Sequence, residues 1–221
     1  MTSDQAHELK AYYSRRAAEY EAIYQKPERQ QDLVALKSML RDLLRGHRVL
    51  EIACGTGYWT EVVATVAESI LATDTSSEVL TIARTKNYPP GRVDFAVADA
   101  YELGGVNGAF TAGLAAFWWS HLPKQRIKAF LEGFHRGLGS GARVVLVDNR
   151  YVEGSSTPVA ERDAAGNTYQ IRRLRDGSQH RVLKNFPDLD ELTGLLGSVA
   201  QDLMVSELDY YWCVSYYAAP A

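Results

Sequence analysis

With 221 residues, of which 46% are apolar and 23% charged, the chain has enough apolar material for one sizeable core. Its 24 basic and 27 acidic residues give a formal charge of −3, and neither sign forms a long block. A broad cationic face for nucleic acid or anionic lipid is therefore not indicated. We expect a small-molecule partner, no nucleic acid and no membrane, and a single domain over residues 1–221.

Cysteine usage and the first residues bear on location. Cys54 and Cys213 are the only cysteines, and no CxxC or Cys/His cluster occurs, which argues against a disulfide framework or a metal site. The first thirty residues contain many charged side chains, and no later stretch approaches the roughly 20 apolar residues of a spanning helix. A cytoplasmic location is expected, and the oligomeric state is left open.

Short apolar runs alternate with helical patterns along the first two thirds of the chain. Strands are predicted at 49–53, 69–73, 93–98, 109–117 and 141–148, and helices at 58–67, 76–86 and 123–137. Because each strand is a continuous apolar run that alternates with a helix, the pattern predicts a parallel sheet covered by helices on both faces.

The last third departs from this alternation. The β-rich runs 203–208 and 210–217 are separated only by Asp209, too close for a helical crossover, so an antiparallel pair is predicted. A helix is predicted near 188–199. Before it, the polar insert 151–185 contains a second hairpin pattern, turned at Asp176-Gly177.

The stretch VLEIACGTG at 49–57 ends a buried strand in two glycines. A strand that ends in Gly55-Thr56-Gly57 and enters a helix brings backbone amides close to a ligand at the positive helix N-terminus. The dinucleotide pattern GxGxxG is incomplete, because Thr60 occupies the third glycine position. Glu51 inside the strand indicates a cationic ligand, since a carboxylate would repel a pyrophosphate. The alternative is a tight turn without a ligand.

Two further acids follow the next two strands. Asp74 is placed to accept both hydroxyls of a ribose, or alternatively to cap the helix that follows. Asp99 is placed to accept from an adenine amino group while the amide of Ala100 donates to the ring, or it is a loop acid without function. Because ligands of open α/β sheets bind beyond the carboxyl ends of strands, these acids and Glu51 together favour a ligand site.

These segments resemble the class I S-adenosylmethionine-dependent methyltransferases, of the small-molecule kind known as methyltransferase types 11 and 25. Residues 49–57 are similar to their motif I, LATD at 71–74 to their ribose-binding acid, and VADA at 97–100 to their adenine-binding step. One departure is Ala53, where many members have glycine. The resemblance implies a Rossmann-like α/β fold with seven mostly parallel strands, the last antiparallel, and helices on both faces. It also implies an N-terminal helical cap over 1–45, and the insert 151–185 is expected as a small β-hairpin.

The resemblance further implies S-adenosylmethionine as the cofactor and S-adenosylhomocysteine as the product. Phe117, after the fourth strand, would close the pocket beside the methyl group. The segment YYSRRAAEY at 12–20 is similar to the family's cap, which makes Tyr12 and Arg16 candidates for the cofactor and Tyr13 a candidate for the acceptor. For the tyrosines, packing of an amphipathic helix is an equal alternative. The other implied cofactor contacts are Glu51, Ala53, Gly55, Gly57, Asp74, Thr75, Asp99 and Ala100.

The segment after the fourth strand is where this family places groups that face the acceptor. Of Trp118 and Trp119, one is expected to line the pocket and the other to pack elsewhere. His121 is the candidate general base, with helix capping before Pro123 as the alternative.

Two later segments are also expected near the acceptor. Arg150 and Tyr151 follow the fifth strand and are candidate acceptor contacts, Arg150 for an acidic group. The hairpin insert carries Tyr169, Arg172, Arg173 and Arg175, of which only one alternate set can face the pocket, and it would act as a lid if it folds over. An Arg-bearing hairpin is more often solvated surface.

The expected activity is methyl transfer to a small-molecule acceptor by in-line displacement. An NAD(P)-dependent oxidoreductase would use the same topology, and a non-catalytic regulatory protein that binds S-adenosylmethionine or a nucleoside would keep the site without turnover. A nucleic-acid amino-methyltransferase would need an Asn/Asp-Pro-Pro-aromatic tetrapeptide where this chain has FWWS at 117–120. The sequence leaves open the acceptor, the atom methylated and the use of a base.

Overall fold

The computed structural model describes residues 17–106 and 108–219, with residues 17–20 and 104 described by their backbone only. Five α-helices lie in this part of the chain: α1 Gln30–Leu44, α2 Tyr58–Ala64, α3 Ser77–Ala83, α4 Ile127–Arg136 and α5 Leu189–Leu196. Its strands are β1 Arg48–Ile52, β2 Ser69–Asp74, β3 Val93–Val97, β4 Ala112–Ala116, β5 Arg143–Asn149, β6 Glu161–Arg162, β7 Thr168–Arg173, β8 Gln179–Leu183, β9 Ala200–Glu207 and β10 Tyr211–Ala218.

Seven strands form the main sheet, in the order β3-β2-β1-β4-β5-β10-β9. Strands β1 to β5 pair in parallel, whereas β10 runs antiparallel to both β5 and β9. The predicted Rossmann-like, mostly parallel sheet with an antiparallel last strand is therefore confirmed. The predicted C-terminal hairpin is β9 and β10, longer than expected at its first strand.

Helices cover both faces of this sheet because each presents one apolar side. On one face, Leu33, Leu36, Leu40 and Leu44 recur at helical spacing along α1 and pack with α2 and the sheet. On the other face, Phe130 and Phe134 of α4 pack with α5 and with alternate residues of β5. Of the helices described, none has the combination of length and apolar character that a membrane crossing requires.

The insert between β5 and α5 forms a second sheet in the order β6-β7-β8. The predicted hairpin is β7 and β8, and the short strand β6 adds a third, antiparallel member that the sequence pattern did not indicate. Because side chains alternate along a strand, Gln170, Arg172 and Leu174 fall on one side of β7 and its continuation, and Ile171 and Arg173 on the other.

Several helices are shorter than their apolar patterns suggested. The pattern predicted a helix over 76–86, but α3 ends at Ala83, whose carbonyl accepts a hydrogen bond from Tyr88 Oη at 2.9 Å. The predicted helix at 123–137 begins as a 3₁₀ turn, Lys124–Arg126, before α4. These differences lie at helix ends, where side-chain contacts compete with continuation of the helix.

Candidate functional site

The carboxyl ends of β1 and β2 meet at one edge of the sheet and are joined by Asp74. Its Oδ2 accepts from the Gly55 N–H at 3.0 Å, and its Oδ1 accepts from the Ser76 N–H at 2.9 Å. Ser76 is the N-cap of α3, and its Oγ accepts from the Val79 N–H at 3.4 Å. Ser76, rather than Asp74, therefore caps this helix. The position of Asp74 beside the glycine turn fits the predicted ribose contact.

The turn after β1 holds three residues in the left-handed region of φ. Ala53, Gly55 and Gly57 have φ values of 50°, 57° and 78°. A Cβ on Gly57 would lie 2.5 Å from Tyr88 Oη and 3.1 Å from Ala83 Cβ, so packing requires glycine there. A Cβ on Gly55 would meet nothing within 4 Å. The backbone at Gly55 thus borders open space, as a ligand cradle requires.

Glu51 lies just before this turn, in β1, with 1% of its surface exposed. Among the described residues, its Oε2 has no hydrogen-bond partner. Burial, together with the charge of Asp74, raises the pKa of this carboxyl to about 8. A buried carboxylate without a partner is costly unless a cation or donor reaches it. The site therefore fits the ammonium or sulfonium group that the sequence predicted.

The candidate adenine contacts lie one strand further along the sheet, after β3. Asp99 is exposed and its Oδ1 accepts from the Tyr101 N–H at 2.9 Å, while Ala100 is buried. Thr75, half-buried, follows Asp74. Tyr12, Tyr13 and Arg16 lie outside the described residues.

Phe117 follows β4 with a φ of 62°, a strained conformation for a bulky residue. Its ring stacks on Trp59 of α2, with centroids 5.5 Å apart and planes 17° apart. Trp59 Nε1 donates to Tyr24 Oη at 3.0 Å, and Thr56 Oγ1 donates to Glu21 Oε1 at 2.8 Å. The segment before α1 is thereby fastened to the glycine turn and to the start of α2.

A cavity of about 410 Å³ opens beside Phe117. Its walls come from residues before α1, from the ends of β4 and β5, and from the insert. The polar side chains among its lining residues are Lys26, Arg29, His121, Asn149, Ser155, Ser156, Thr157, Gln170, Arg172, Arg173 and Lys184. Because Phe117 borders this cavity and stacks on Trp59 of the helix that follows the glycine turn, the cavity is a candidate acceptor pocket.

His121 is 3% exposed and lies at the end of the 3₁₀ turn Trp119–His121. Its Nδ1 is 2.8 Å from the Leu183 carbonyl, which can only accept, so the neutral ring carries its proton on Nδ1 and its lone pair on Nε2. Burial and the charges of Lys184 and Arg172 hold the pKa of His121 well below its usual value, against the opposing charge of Asp148. The ring thus binds the insert, and the N-cap of α4 is Arg126.

The two tryptophans after β4 have different surroundings. Trp119 is in the core, edge-to-face with Trp212 at 6.2 Å. Trp118 is half-buried, with its ring centroid 6.4 Å from that of His121. Trp118 is not among the described residues that line the cavity, so its place in the acceptor pocket stays a prediction.

The two candidates after β5 point elsewhere. Arg150 forms an ion pair with Glu207 and donates to the Leu208 carbonyl at 2.6 Å, which fastens β5 to the turn between β9 and β10. Tyr151 is exposed and touches the cavity-lining Phe186 edge-on at 5.4 Å. Neither lines the cavity among the residues described, so we leave them out of the proposed site.

Several cavity residues were not singled out from the sequence, above all Lys26, Arg29 and Lys184. The sequence pattern could have identified Arg29, because it precedes Leu33 by one helical turn and so extends the buried face of α1. A charged residue at such a position indicates function. Lys184 carries no comparable local signal. Within the described residues, no group of three or more His, Cys, Asp or Glu side chains could hold a metal ion.

Comparison with known proteins places this arrangement in context. Residues 49–141 match a family model described as a methyltransferase domain. The solved structure "DhpI-SAH complex" is 26% identical, with a TM-score of 0.78 over 100% of both chains. The "DhpI-SAM-HEP complex" is also 26% identical, with a TM-score of 0.79 over 97% of this chain and 98% of that one. The PH0226 protein from Pyrococcus horikoshii OT3, at 16% identity and a TM-score of 0.68 over 87% and 92%, is alike in fold. No curated protein matches the chain.

Proposed function

We propose that this chain, which by its fold and its methyltransferase domain is a class I S-adenosylmethionine-dependent methyltransferase, methylates a small-molecule acceptor by in-line displacement. The observation that carries the proposal is the pairing of a buried Glu51 carboxyl, whose Oε2 has no partner among the described residues, with open space over the Gly55 backbone. A buried acidic side chain disfavours an anionic ligand, such as a pyrophosphate, at this position.

The donor would lie along the edge formed by the ends of β1, β2 and β3. Glu51 would complement its positive charge, and the Gly55 amide region would approach its methionyl part. Asp74 would accept from the ribose hydroxyls, and Asp99 with the Ala100 amide would hold the adenine. Ala53, Gly57, Thr75 and Phe117 complete the proposed contacts.

When bound, S-adenosylmethionine supplies a methyl group on a positively charged sulfur, which an aligned acceptor atom can take in one displacement. The chain's part in this is alignment and exclusion of water, which can account for a large share of the rate. Phe117, Trp118 and the insert would wall the reacting atoms off from solvent.

His121 would act as the general base where the acceptor is a hydroxyl or a protonated amine. Its Nε2 lone pair is the site that takes the proton, and the hydrogen bond from Nδ1 to Leu183 fixes that tautomer. Since its pKa is depressed, the ring is neutral and able to accept a proton at physiological pH.

Calorimetric titration with S-adenosylhomocysteine, with NAD⁺ as the comparison, tests the donor half of the proposal. We expect one-to-one binding of S-adenosylhomocysteine and no binding of NAD⁺; the reverse result would indicate an oxidoreductase. A metabolite library screened with labelled S-adenosylmethionine tests the acceptor half. Tight donor binding with no methylated product from any small molecule would favour a regulatory protein.

A further inference from the structure

The cavity beside Phe117 is cationic, although the chain as a whole is acidic. Five of its lining residues are Lys or Arg, and none of its lining residues is Asp or Glu. The chain has 24 basic and 27 acidic residues, so basic residues are enriched in the cavity wall relative to the whole sequence. Within the part of the chain that the structure describes, Asp148 lies 3.1 Å from Lys184 and Glu28 lies 3.8 Å from Lys26, so these two charges are partly offset from behind the wall.

Among the described residues, Arg29 lies in the cavity wall without a direct carboxylate partner; Glu28 is linked to it through Ser155, whose Oγ donates to Glu28 Oε1 at 2.9 Å. Only 7% of its surface is exposed, and its guanidinium donates to Ser155 Oγ at 3.0 and 3.3 Å and to Asn149 Oδ1 at 3.3 Å. It also lies over the rings of Tyr210 and Tyr211. No carboxylate of the described residues comes within ion-pair distance of it. A buried guanidinium with only neutral partners favours an anionic ligand.

The insert contributes a second arginine to the same cavity. Arg172 lies on the inward side of β7, where it donates to Gln170 Oε1 at 2.7 and 3.1 Å. Gln170 in turn donates to the Thr157 carbonyl at 2.5 Å, which orients the pair. Arg29 and Arg172 therefore border the cavity from two different segments, the chain before α1 and the insert.

We propose that this cavity binds an acceptor through a doubly charged oxyanion group, a phosphoryl group or a pair of carboxylates, held by Arg29 and Arg172. The planar guanidinium fork matches carboxylate and phosphoryl oxygens, and two forks with Lys26 nearby exceed the charge of one carboxylate. This proposal rests on the proposed function, because it names the acceptor class of the same methyltransferase site.

Calorimetric titration of the protein loaded with S-adenosylhomocysteine tests this assignment, with inorganic phosphate, succinate and acetate as probes in a low-chloride buffer at pH 7.5. We expect phosphate, succinate or both to bind one-to-one, and whichever binds more tightly identifies the anion type. We expect acetate to bind at least tenfold more weakly. Arg29→Gln and Arg172→Gln should each weaken the binding tenfold or more, and Arg29→Lys should weaken it less than Arg29→Gln.

The matched control is Arg162→Gln, an exposed arginine of β6 whose recorded contact is to the Gly166 carbonyl. It should change anion affinity less than twofold. Thermal unfolding of each variant shows whether a loss of anion binding comes with a loss of the fold. If Arg29→Gln unfolds, Arg172→Gln still tests the proposal, because Arg172 is half-exposed on a strand. Absence of phosphate and succinate binding, equal binding of acetate, or equal loss in Arg162→Gln would overturn the proposal.

Failure of this inference is distinguishable from failure of the proposed function. Binding of S-adenosylhomocysteine without any anion binding would refute the acceptor class and leave the methyltransferase site intact. Absence of S-adenosylhomocysteine binding would contradict the proposed donor site. The same anion titrations on the unloaded protein would then show whether the cavity binds an anion without the donor.

Discussion

Lys184 Nζ lies 3.1 Å from Asp148 Oδ1, and the two side chains are 6% and 0% exposed. Lys184 directly follows β8 of the insert, whereas Asp148 belongs to β5 of the main sheet. Ser120, after β4, joins both: its Oγ accepts from Lys184, and its N–H donates to Asp148 Oδ2 at 2.8 Å. The insert is therefore fixed to the strand ends that border the proposed acceptor pocket by a buried ion pair.

Lys184→Met should destabilise the protein by about 3–5 kcal/mol, because it leaves the Asp148 charge buried without its partner. The matched control is Arg181→Met, which breaks the exposed pair with Glu161 at 2.7 Å and should cost less than about 1 kcal/mol. Urea unfolding gives both values. Equal losses for the two variants would mean that the buried pair does not hold the insert in place.

His121 should make the stability of the protein fall as the pH falls. Its folded-state pKa lies below its unfolded-state value, so the unfolded chain binds a proton first as the pH falls below about 6.5. Above about pH 6.5 the neutral His121 does not lower the free energy of unfolding. Between that pH and the lower, folded-state pKa, the free energy of unfolding falls by up to about 1.4 kcal/mol per pH unit. Urea unfolding at pH 7.5 and 5.5 should show a smaller fall in His121→Asn than in the wild type. Identical falls would contradict the buried, neutral imidazole.

The two glycines of the turn after β1 should respond differently to alanine. Gly57→Ala should destabilise the protein by more than about 2 kcal/mol, because the new Cβ meets Tyr88 and Ala83 as well as a left-handed backbone. Gly55→Ala should cost only about 1–2 kcal/mol, the backbone term alone, yet weaken S-adenosylhomocysteine binding at least tenfold. Thermal unfolding and calorimetry on both variants test this. Unchanged affinity in a folded Gly55→Ala protein would remove the donor from this turn.

The parts of the site that could be predicted from the sequence are those set by local rules. A strand that ends in glycine places its turn at the carboxyl edge of a parallel sheet, and the same rule brought Gly55 and Asp74 to within a hydrogen bond. The strand positions followed from continuous apolar runs, with errors mainly at the ends.

The acceptor side depends on long-range packing and could not be predicted in the same way. Arg29 and Arg172 border one cavity only because the insert folds back toward the segment before α1, and no local pattern encodes that. The choice between Trp118 and Trp119 was open because the chain forms a 3₁₀ turn there, so strand alternation does not apply. The ion pair of Arg150 with Glu207 depends in the same way on the closure of β10 against β5.

Donor binding should release a proton at pH 7, because Glu51 is mostly protonated in the empty protein and a cation favours its carboxylate. Affinity should accordingly rise as the pH rises toward about 8. Calorimetry of S-adenosylmethionine binding, without an acceptor, in two buffers of different ionisation enthalpy measures the release. Glu51→Gln should abolish it and weaken binding by about 1.5–3 kcal/mol.

The control for this measurement is Glu61→Gln on α2, where the carboxylate is 44% exposed and lies 3.6 Å from Lys86. It should retain the proton release and bind within about threefold of the wild type. Because its folded-state pKa lies above the usual value of 4.5, Glu51 lowers the stability of the empty protein as the pH rises from 4.5 to about 8, and Glu51→Gln should remove this loss and stabilise the empty protein at pH 8. Proton release that persists in Glu51→Gln would assign it to another group.

The kinetics of His121→Ala should reveal which acceptor atom is methylated. If a hydroxyl or protonated amine accepts the methyl group, removal of the base should lower kcat by about 10²–10⁴-fold with a smaller change in KM. If an oxygen of the anionic group is itself the nucleophile, no proton is transferred, and kcat should fall less than about tenfold. Trp118→Ala, which changes the wall beside His121 and leaves the base, should raise KM in either case. A pH profile of kcat separates the two outcomes independently, because only the first predicts an acid limb, below pH 6.5, that disappears in the variant.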